Sequence, residues 1–571
     1  MTDLHDAQRQ RVDAWALVLL GLLIIGLLCI PLRVLHLQMS PPPELAAAAG
    51  QTESTARAMG RRGDLLDRRG RVLATSTVGW RVFVDPKLVQ DPATLGTRLG
   101  AMLGLEPDDI DNTLAGRLDR RYVPVSGDLS DAEVLPLRTS PITGVGLEPR
   151  PIRHYPNGAD ATALVGMVGF EHTGLAGMEH AMQRRLEGRP GSITAVRDPG
   201  RRTLWVTPDN VVPAQPGDDV RLSIDLAVQS TVTSRLQTQV NELNAAGGRA
   251  VVLDPMSGEV LAVVDVRGLR ATDTDADPRL ARSRCVTDPY EPGSTFKPFV
   301  WAAAIESAVI TQHEVLPTPE DRPHRTSKGR RIRDSHYYGP SSFRTVLVKS
   351  LNSGMAIAAE RLTHGQLRSY VDELGFGQPS GCGLPGETGG IVTAHSDWSH
   401  YTQTSVAMGH EISVTVLQMA RAFAAFARDG TMPDITIFAR DDRGPMVQQR
   451  VYQPATVLAA RDAMCEVMTD GTGRRIQSGL YSMFGKSGTA QLPIAEGGGY
   501  HEDRYISSFI AGAPVDDPQV VVLCVIDDPD RSLGRWYGSS TAGPVVRDII
   551  DATLPYLGVQ ADLQQQAQID N

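Results

Sequence analysis

Cysteine is scarce in this sequence, and positive charge is not in excess. Five cysteines occur among 571 residues, none of them in a CxxC pair, and the thirteen histidines do not cluster with them. Structural zinc sites are usually built from closely spaced Cys and His, so the sequence does not predict a metal site. The formal net charge of −10 argues against a nucleic-acid-binding protein, which would present a basic surface.

The few cysteines leave the disulfide state open. Cys29 lies within a long apolar run, which leaves four others for pairing, namely Cys285, Cys382, Cys465 and Cys524. These four can pair in an oxidising compartment, but their spacing in the sequence does not decide whether they do.

A single apolar run is long enough to cross a bilayer. It extends from Ala14 to Leu32 without a charged residue. A cleaved signal peptide is the alternative, but it requires a shorter apolar stretch followed directly by a small-residue cleavage site. Arg9 and Arg11 precede the run and Arg33 alone follows it closely, so we expect the N-terminus in the cytoplasm and the rest of the chain outside.

The length and composition predict several folded domains. A chain of 571 residues exceeds what one hydrophobic core normally supports, and 41% apolar with 21% charged residues is ordinary for a folded protein. We predict six segments: a cytoplasmic tail (1–13), a transmembrane helix (14–32), a linker rich in Pro and Ala (33–57), a non-catalytic module called the pedestal below (58–216), a second folded domain (217–557) and a polar tail (558–571), which we expect to be frayed.

Periodic patterns in the second domain predict an antiparallel sheet covered by helices. Asp225 is placed to cap a helix whose apolar residues recur on one face, at Val228, Val232, Leu236, Val240 and Leu243. Strands are predicted at Ala250–Leu253, Glu259–Val266, Ser482–Gln491, Ile506–Ala513 and Val520–Ile526, followed by a helix over about 545–556. Between 299 and 470 the pattern is mostly helical, and the fold class is therefore α+β.

Three short strings in this domain carry residues suited to acyl transfer. The first is Ser294-Thr295-Phe296-Lys297, in which Ser294 should stand near a helix N-terminus and share a helical face with Lys297. A serine hydroxyl needs an adjacent base, and a lysine can be that base only if burial or a nearby cation keeps its amine neutral. Taken alone, the string is more typical of a capped helix with a solvated lysine.

The second string is Ser350-Leu351-Asn352. Ser350 can pass a proton between Lys297 and a leaving amine, and Asn352 can orient Lys297 or a substrate amide. A helix N-cap is the alternative interpretation of this string, because Ser and Asn are both preferred at that position.

The third string, Lys486-Ser487-Gly488-Thr489, lies on a predicted strand. Gly488 lets a ligand or another backbone approach closely. Lys486 can be the cation that keeps the base neutral, and with Ser487 and Thr489 it would form a carboxylate-binding edge. The N–H groups of Thr489 and Ser294 are candidates for an oxyanion hole. An ordinary lysine on an edge strand is the alternative.

The order of these strings resembles the active-site set of class B penicillin-binding proteins. The segment from Glu291 to Pro298 is similar to the family's nucleophile segment, and further similarities lie at Arg62-Gly63, Asp67-Arg68, Arg153 to Gly158, Gly177 with Glu179, Leu222 to Asp225, Ala407 to His410 and Tyr537-Gly538. The resemblance covers nearly the whole chain after the linker. It implies a single transmembrane helix, an elongated mixed α/β pedestal and a transpeptidase domain whose antiparallel sheet is flanked by helices.

The resemblance also implies a reaction, that of a peptidoglycan D,D-transpeptidase. Ser294 would attack the D-Ala-D-Ala bond of a stem peptide, D-alanine would leave, and an amine on a neighbouring strand would take the acyl group. β-Lactams would acylate the same serine, and no metal or organic cofactor is implied. The implied catalytic residues are Ser294, Lys297, Ser350, Asn352 and Lys486, and the implied substrate-binding residues are Ser487, Gly488 and Thr489.

Within that family the chain resembles the septal, division-specific branch, by its total length, its single anchor and its short ending after the C-terminal helix. That branch implies a membrane glycosyltransferase and divisome proteins as partners. It also implies a single-pass protein of the cell (inner) membrane with an extracytoplasmic catalytic domain. An elongation-specific transpeptidase, a membrane β-lactam sensor and a non-catalytic scaffold are the alternatives. Two departures from the family, Gly538-Ser539-Ser540 in place of a Gly pair and Val546 in place of Phe, fall at the rim of the site.

Overall fold

The computed structural model describes residues 2–40, 42–43, 53–91, 94–126, 129–156, 162–169, 171–197, 203–271, 282–440, 448–494 and 498–563. Much of the predicted linker lies outside these ranges. The chain forms two compact units, one of Met1–Arg61 with Gly188–Pro216 and one of Arg62–Glu187 with Gly217–Asn571. The predicted pedestal is therefore divided between the two units.

The first unit contains a long N-terminal helix and a small sheet. The helix extends over Thr2–Met39 and includes the predicted span. Its part from Arg11 to Met39 is long and apolar enough to cross a membrane, with a mean hydropathy of 2.7 and no burial within the protein. Strands Glu53–Ala58, Gly191–Arg197 and Thr203–Val212 form an antiparallel sheet in that order.

The pedestal part of the second unit is a mixed α/β structure. Its strand Val72–Val84 pairs antiparallel with Val145–His154, and the short strands Leu65–Leu66 and Val123–Pro124 flank it. Gly70 has a φ of 79° in the turn before Val72, a conformation that favours glycine. The helices are Leu95–Leu103, Pro107–Leu114, Asp131–Thr139, Thr162–Val165, Gly177–Ala181 and Gln183–Leu186.

A buried ion-pair triad ties this part of the pedestal together. Glu179 accepts hydrogen bonds from Nε of Arg62 at 2.6 Å and from Nε of Arg153 at 2.7 Å. All three side chains are almost completely buried. The carboxylate is thus the shared counterion of two guanidinium groups that come from segments far apart in the sequence.

The second predicted domain, residues 217–557 and called the catalytic region below after its expected function, is built on a five-stranded antiparallel sheet. We label its strands β1 (Gly247–Leu253), β2 (Val260–Arg267), β3 (Phe484–Pro493), β4 (Tyr500–Ala513) and β5 (Val520–Asp527), and its principal helices α1 (Leu226–Glu242), α2 (Lys297–Glu306), α3 (Asn352–Arg361) and α4 (Gly538–Tyr556). The strand order is β2-β1-β5-β4-β3. The predicted strands, the helix capped by Asp225 and the α+β fold class are confirmed.

Helices cover both faces of this sheet. Along β1, Ala250 and Val252 pack with α1 and α4, whereas Val251 and Leu253 pack on the opposite side against the helical region. The side chains of a strand alternate between faces, so each face has its own hydrophobic core. Besides α2 and α3, the helical region contains Arg284–Thr287, Phe343–Val348, His364–Glu373, His400–Val406, Val416–Ala427 and Pro454–Thr469, with pairs of very short strands between them.

All five cysteines are free thiols. Cys285 belongs to the core on the side of the helical region, whereas Cys524 belongs to the core beneath α1 and α4. The sheet therefore separates these two sulfur atoms, although both residues lie next to strand β1. Burial raises the pKa of the Cys285 thiol to about 12, which keeps it unreactive.

Two details at the C-terminal end differ from the sequence-based expectation. Helix α4 begins at Gly538, seven residues before the expected start, and Pro544 lies inside it. The start is set by tertiary packing, because a Cβ on Gly538 would lie 2.2 Å from the carbonyl oxygen of Ser508. The tail is not frayed as far as Leu563, since Val559 accepts a hydrogen bond from the Tyr481 hydroxyl at 2.7 Å.

We predict that Glu179→Gln destabilises the second unit strongly. The substitution keeps the side-chain shape but leaves two buried guanidinium groups without their counterion, which costs about 3–5 kcal/mol. Urea unfolding of the full-length protein in detergent measures the change. Glu171→Gln is the matched control, because the Glu171 side chain is 68% exposed and lies 3.8 Å from Arg150. Equal midpoints for the two variants would contradict the role of the triad.

Candidate active site

Ser294 lies in a tight turn that leads directly into α2. The turn, Gly293–Phe296, is a 3₁₀ helix, and Pro298 occupies the first turn of the following α-helix. Gly293 has a φ of 56° and donates its N–H to the carbonyl of Gly409 at 3.0 Å. A Cβ on Gly409 would lie 2.0 Å from the carbonyl oxygen of Gly293. Two glycines thus let two backbone segments cross directly behind Ser294.

Lys297 is buried and its amine is held by the second string. Nζ donates to the carbonyl oxygen of Ser350 at 2.6 Å and to Oδ1 of Asn352 at 2.7 Å, and lies 3.3 Å from Oγ of Ser350. Burial lowers the pKa of Lys297 to about 7, although the charge of Asp334 opposes this shift. A substantial fraction of the amine is therefore neutral near neutral pH, which is the form a general base needs.

Ser350 connects two lysine amines. Its hydroxyl accepts a hydrogen bond from Nζ of Lys486 at 3.0 Å, in addition to its contact with Lys297. Ser350 has a φ of 61°, which is unusual for a residue other than glycine. That conformation lets the carbonyl and the hydroxyl of one residue both reach the Lys297 amine.

Lys486 lies on β3, at the edge of the sheet, and is completely buried. Its Nζ also donates to the carbonyl of Ser487 at 3.0 Å. Burial, and to a smaller degree the charge of Lys297, lowers the pKa of Lys486 well below its ordinary value. Two cations beside one hydroxyl repel each other, so the pair titrates as a coupled unit and favours at least one neutral amine.

The rest of the third string faces the turn that carries Ser294. A Cβ on Gly488 would lie 2.7 Å from the carbonyl oxygen of Pro292 and 2.6 Å from Oγ of Ser508, so only glycine fits this crossing. Thr489 Oγ1 accepts the backbone N–H of Gly538 at 3.0 Å, at the first residue of α4. The strand is thereby fixed between the nucleophile segment and the last helix.

These residues open onto one cleft of about 680 Å³. Its lining includes Ser294, Ser350, Asn352, Ser487, Gly488 and Thr489, and the two lysines lie beneath it, bonded to Ser350. The structure therefore brings all eight predicted site residues together. Within the described residues, no hydrogen bond joins Ser294 to Lys297, whose amine points to Ser350 and Asn352. The assignment of an oxyanion hole stays a prediction.

Sequence reasoning missed several residues of this site. Thr472 Oγ1 lies 2.8 Å from Oγ of Ser487, and Asp334 is bonded to Ser353, next to Asn352. Neither residue belongs to a string, and the contacts join segments that no local pattern relates. Glu291 accepts hydrogen bonds from Nδ1 of His410 at 2.9 Å and from the hydroxyl of Tyr500 at 3.0 Å. The resemblance included Glu291 and His410 in separate segments but did not predict this contact.

Metal ligation has no candidate cluster in the part of the chain that the structure describes. There, no group of three or more His, Cys, Asp or Glu side chains is arranged to hold an ion.

Comparison with known proteins agrees with this geometry. The penicillin binding protein transpeptidase domain matches residues 248–551, and the penicillin-binding protein dimerisation domain matches residues 57–222. Stage V sporulation protein D of Bacillus subtilis is 30% identical over 516 residues, which cover 87% of this chain and 79% of that one. Peptidoglycan D,D-transpeptidase FtsI of Escherichia coli is 28% identical over 568 residues, or 96% and 93% of the two chains.

Solved structures show the same fold. A peptidoglycan synthetase from Bifidobacterium adolescentis superposes with a TM-score of 0.69 at 24% identity, covering 89% of this chain and 98% of that one. Penicillin binding protein 3 from Mycobacterium tuberculosis, solved in complex with aztreonam, gives a TM-score of 0.66 at 24% identity with the same coverage.

The chain belongs to the class B penicillin-binding proteins. It is a serine-type peptidoglycan D,D-transpeptidase, and peptidoglycan as substrate and β-lactams as ligands fit that family. The apolar N-terminal helix is consistent with a single-pass membrane anchor.

We predict that Gly488→Ala slows acylation by a fluorescent penicillin about 100-fold, because the new methyl group displaces the Ser294 turn by a fraction of an ångström or more. The second-order rate of labelling of the full-length protein in detergent is the measurement. Gly365→Ala is the control, since a Cβ there meets no atom within 4 Å in the helix His364–Glu373. Labelling of Gly488→Ala at the rate of the control would show that the crossing tolerates a side chain.

Proposed function

We propose that Ser294 is the nucleophile and that Lys297, Ser350, Asn352 and Lys486 are its catalytic partners. The observation that carries the proposal is the bonded series Lys297–Ser350–Lys486 beneath the cleft that Ser294 lines. Oγ would attack the carbonyl of the D-Ala-D-Ala bond of a stem peptide, forming an acyl-enzyme and releasing D-alanine. An amine on a neighbouring strand would then take the acyl group, which cross-links the wall.

The hydrogen bonds of Lys297 support its role as the base. A neutral amine has two N–H donors and one lone pair. The two shortest bonds, to the carbonyl of Ser350 and to Oδ1 of Asn352, use both donors and leave the lone pair for the proton of Ser294. The Ser350 hydroxyl, in contact with both amines, is suited to pass that proton to the leaving amine.

The β3 edge supports substrate binding. Ser487, Gly488 and Thr489 line the cleft on an edge strand, where an extended peptide can pair with backbone groups. The buried Lys486 beneath them adds an electrostatic preference for a carboxylate, such as the terminus of D-Ala-D-Ala or the acid of a β-lactam. Binding of the substrate carboxylate would in turn favour the protonated form of one lysine.

We predict that Ser294→Ala abolishes covalent labelling by a fluorescent penicillin, because the variant lacks the attacking oxygen. Mass spectrometry of the labelled wild-type protein should place the adduct on the peptide that contains Ser294. Ser396→Ala, at an exposed position, should label like the wild type. An adduct on another residue, or full labelling of Ser294→Ala, would refute the assignment of the nucleophile.

We further propose that the protein acts in septal wall synthesis, with its N-terminus in the cytoplasm and its catalytic region on the outer side of the cell membrane. The charge bias around the anchor supports this orientation. The chain resembles the division-specific branch in its combination of one anchor, a pedestal and a transpeptidase domain. Its similarity to FtsI of Escherichia coli extends over 96% of this chain. A membrane glycosyltransferase and divisome proteins would be its partners.

We predict that depletion of the protein in its own host produces filaments, because septation would stop while elongation continues. Phase-contrast microscopy during depletion, with a plasmid-borne copy as the control, is the measurement. A plasmid-borne Ser294→Ala copy should fail to restore division. Rounded cells instead of filaments would assign the protein to elongation and contradict the septal role.

A further inference from the structure

Asp334 contacts the start of the helix that carries the second string. It lies in the long connection between α2 and the helix Phe343–Val348. Its Oδ1 accepts the backbone N–H of Ser353 at 3.0 Å, and its Oδ2 accepts the hydroxyl of the same residue. Ser353 is fully buried, so these bonds are formed away from solvent. The contact joins two segments that are nineteen residues apart.

The carboxylate replaces a cap that the helix itself lacks. The N-cap position of α3 is Leu351, whose side chain has no polar atom, and the first N–H groups of a helix need external acceptors. Asp334 supplies one such acceptor. The preceding residue holds a side chain instead, because the carbonyl of Arg333 accepts a hydrogen bond from the side-chain Nδ2 of Asn352 at 2.9 Å. Residues 333–334 therefore hold the two residues that follow Leu351.

The same carboxylate lies near the base, because it bonds Ser353, which directly follows Asn352, and Asn352 bonds the Lys297 amine. Its negative charge raises the pKa of Lys297, against the larger effect of burial. On the strand side the like charge of Lys297 lowers the pKa of Lys486. The direct partners of the Lys297 amine, in Ser350 and Asn352, are uncharged. The charged groups on the cleft wall have partners of their own. Lys349 pairs with Asp470 at 2.8 Å and His410 pairs with Glu291 at 2.9 Å, while His336 also lines the cleft.

We propose that Asp334 is a positioning residue for acyl transfer: it fixes the Ser350–Asn352 turn through Ser353 and supplies the negative charge that stabilises Lys297 once this amine is protonated. The proposal rests on the proposed roles of Ser294 and Lys297. During attack the Ser294 O–H bond breaks and the proton passes to Nζ. The serine oxygen bonds to the substrate carbonyl carbon, and the π electron pair of that carbonyl moves onto its oxygen. The cation so formed is buried, where a nearby carboxylate lowers its free energy.

The test is the pH dependence of acylation in Asp334→Asn. In the wild type the rate should fall as the pH falls through about 7, because the neutral amine is lost. Removing the carboxylate charge disfavours the protonated form of the Lys297 amine. The midpoint of this fall in rate should therefore shift about one pH unit lower. The plateau rate at higher pH should fall about threefold to tenfold, because a less basic amine is a weaker proton acceptor. A structural defect alone would lower the plateau and leave the midpoint in place.

Two matched variants separate charge from packing. Ser353→Ala removes the hydrogen bond from the Ser353 hydroxyl to Asp334 but keeps the backbone N–H bond and the charge, so it should lower the plateau rate without moving the midpoint. Asp321→Asn removes an exposed carboxylate of the same connection and should move neither. If Asp334→Asn does not fold, Asp334→Ser and Asp334→Glu make the same comparison, since only the second keeps the charge.

If the pH midpoint of acylation in Asp334→Asn and Asp334→Ser equals that of the wild type, the proposed role of Asp334 is wrong. That outcome leaves the wild-type adduct on Ser294 untouched. Failure of the proposed function would instead appear as labelling of Ser294→Ala, whatever the behaviour of Asp334→Asn.

Discussion

Two buried lysine amines that share one serine hydroxyl set the constraint that the catalytic region must satisfy. Lys297 and Lys486 are both fully buried and both bonded to Ser350. A buried charge costs several kcal/mol unless it is paired, and two like charges at this separation cost more. The site therefore holds fewer protons than two exposed lysines would. A cleft with a proton deficit of this kind can take a proton from a serine and later return it.

Such a site is stable only if its surroundings hold the amines in place. Helix α2 is fixed by an aromatic cluster in which Phe296 and Phe299 contact each other at 5.4 Å and both contact Phe376, at 5.2 and 5.8 Å between ring centroids. The left-handed backbone of Ser350 costs free energy that surrounding structure must offset. The N–H of Leu351, bonded to the carbonyl of Val346 at 2.9 Å, and the contacts of Asp334 and Arg333 provide such support.

The sequence contained local information on the fold and the site, but not on the contacts that arrange them. The helix after Asp225 was predictable because its cap and its apolar face lie within one short segment, and all its predicted face residues are buried. The three strings were predictable because their residue types suit one reaction in one order. In contrast, Asp334 and Thr472 have no periodicity or spacing that relates them to Ser353 and Ser487. Their roles arise only when distant segments meet.

The same distinction explains the errors at the C-terminal end and the open disulfide question. The sequence pattern placed the start of the last helix at about residue 545, yet the packing of Gly538 against the sheet determined where α4 begins. The pairing of Cys285 and Cys524 could not be judged from spacing, since it depends on which face of the sheet each sulfur occupies. Spacing along a chain carries no information about faces that are defined by tertiary structure.

Helix α4 links the active site to the pedestal within one compact unit. At its first residue, the N–H of Gly538 is bonded to Thr489 on the substrate edge. Near its last residue, the Tyr556 hydroxyl donates to Asp225 at 2.9 Å, and the guanidinium of Arg69 lies 4.4 Å from the Tyr556 ring centroid. Arg71 bonds the same Asp225 at 2.6 Å.

Asp225 also caps α1, so one carboxylate holds the pedestal hairpin, the first helix and the last helix of the catalytic region. A helix of 19 residues extends about 28 Å. Helix α4 therefore spans the distance between Thr489 on β3 and the pedestal residues Arg69 and Arg71, and it contacts both regions.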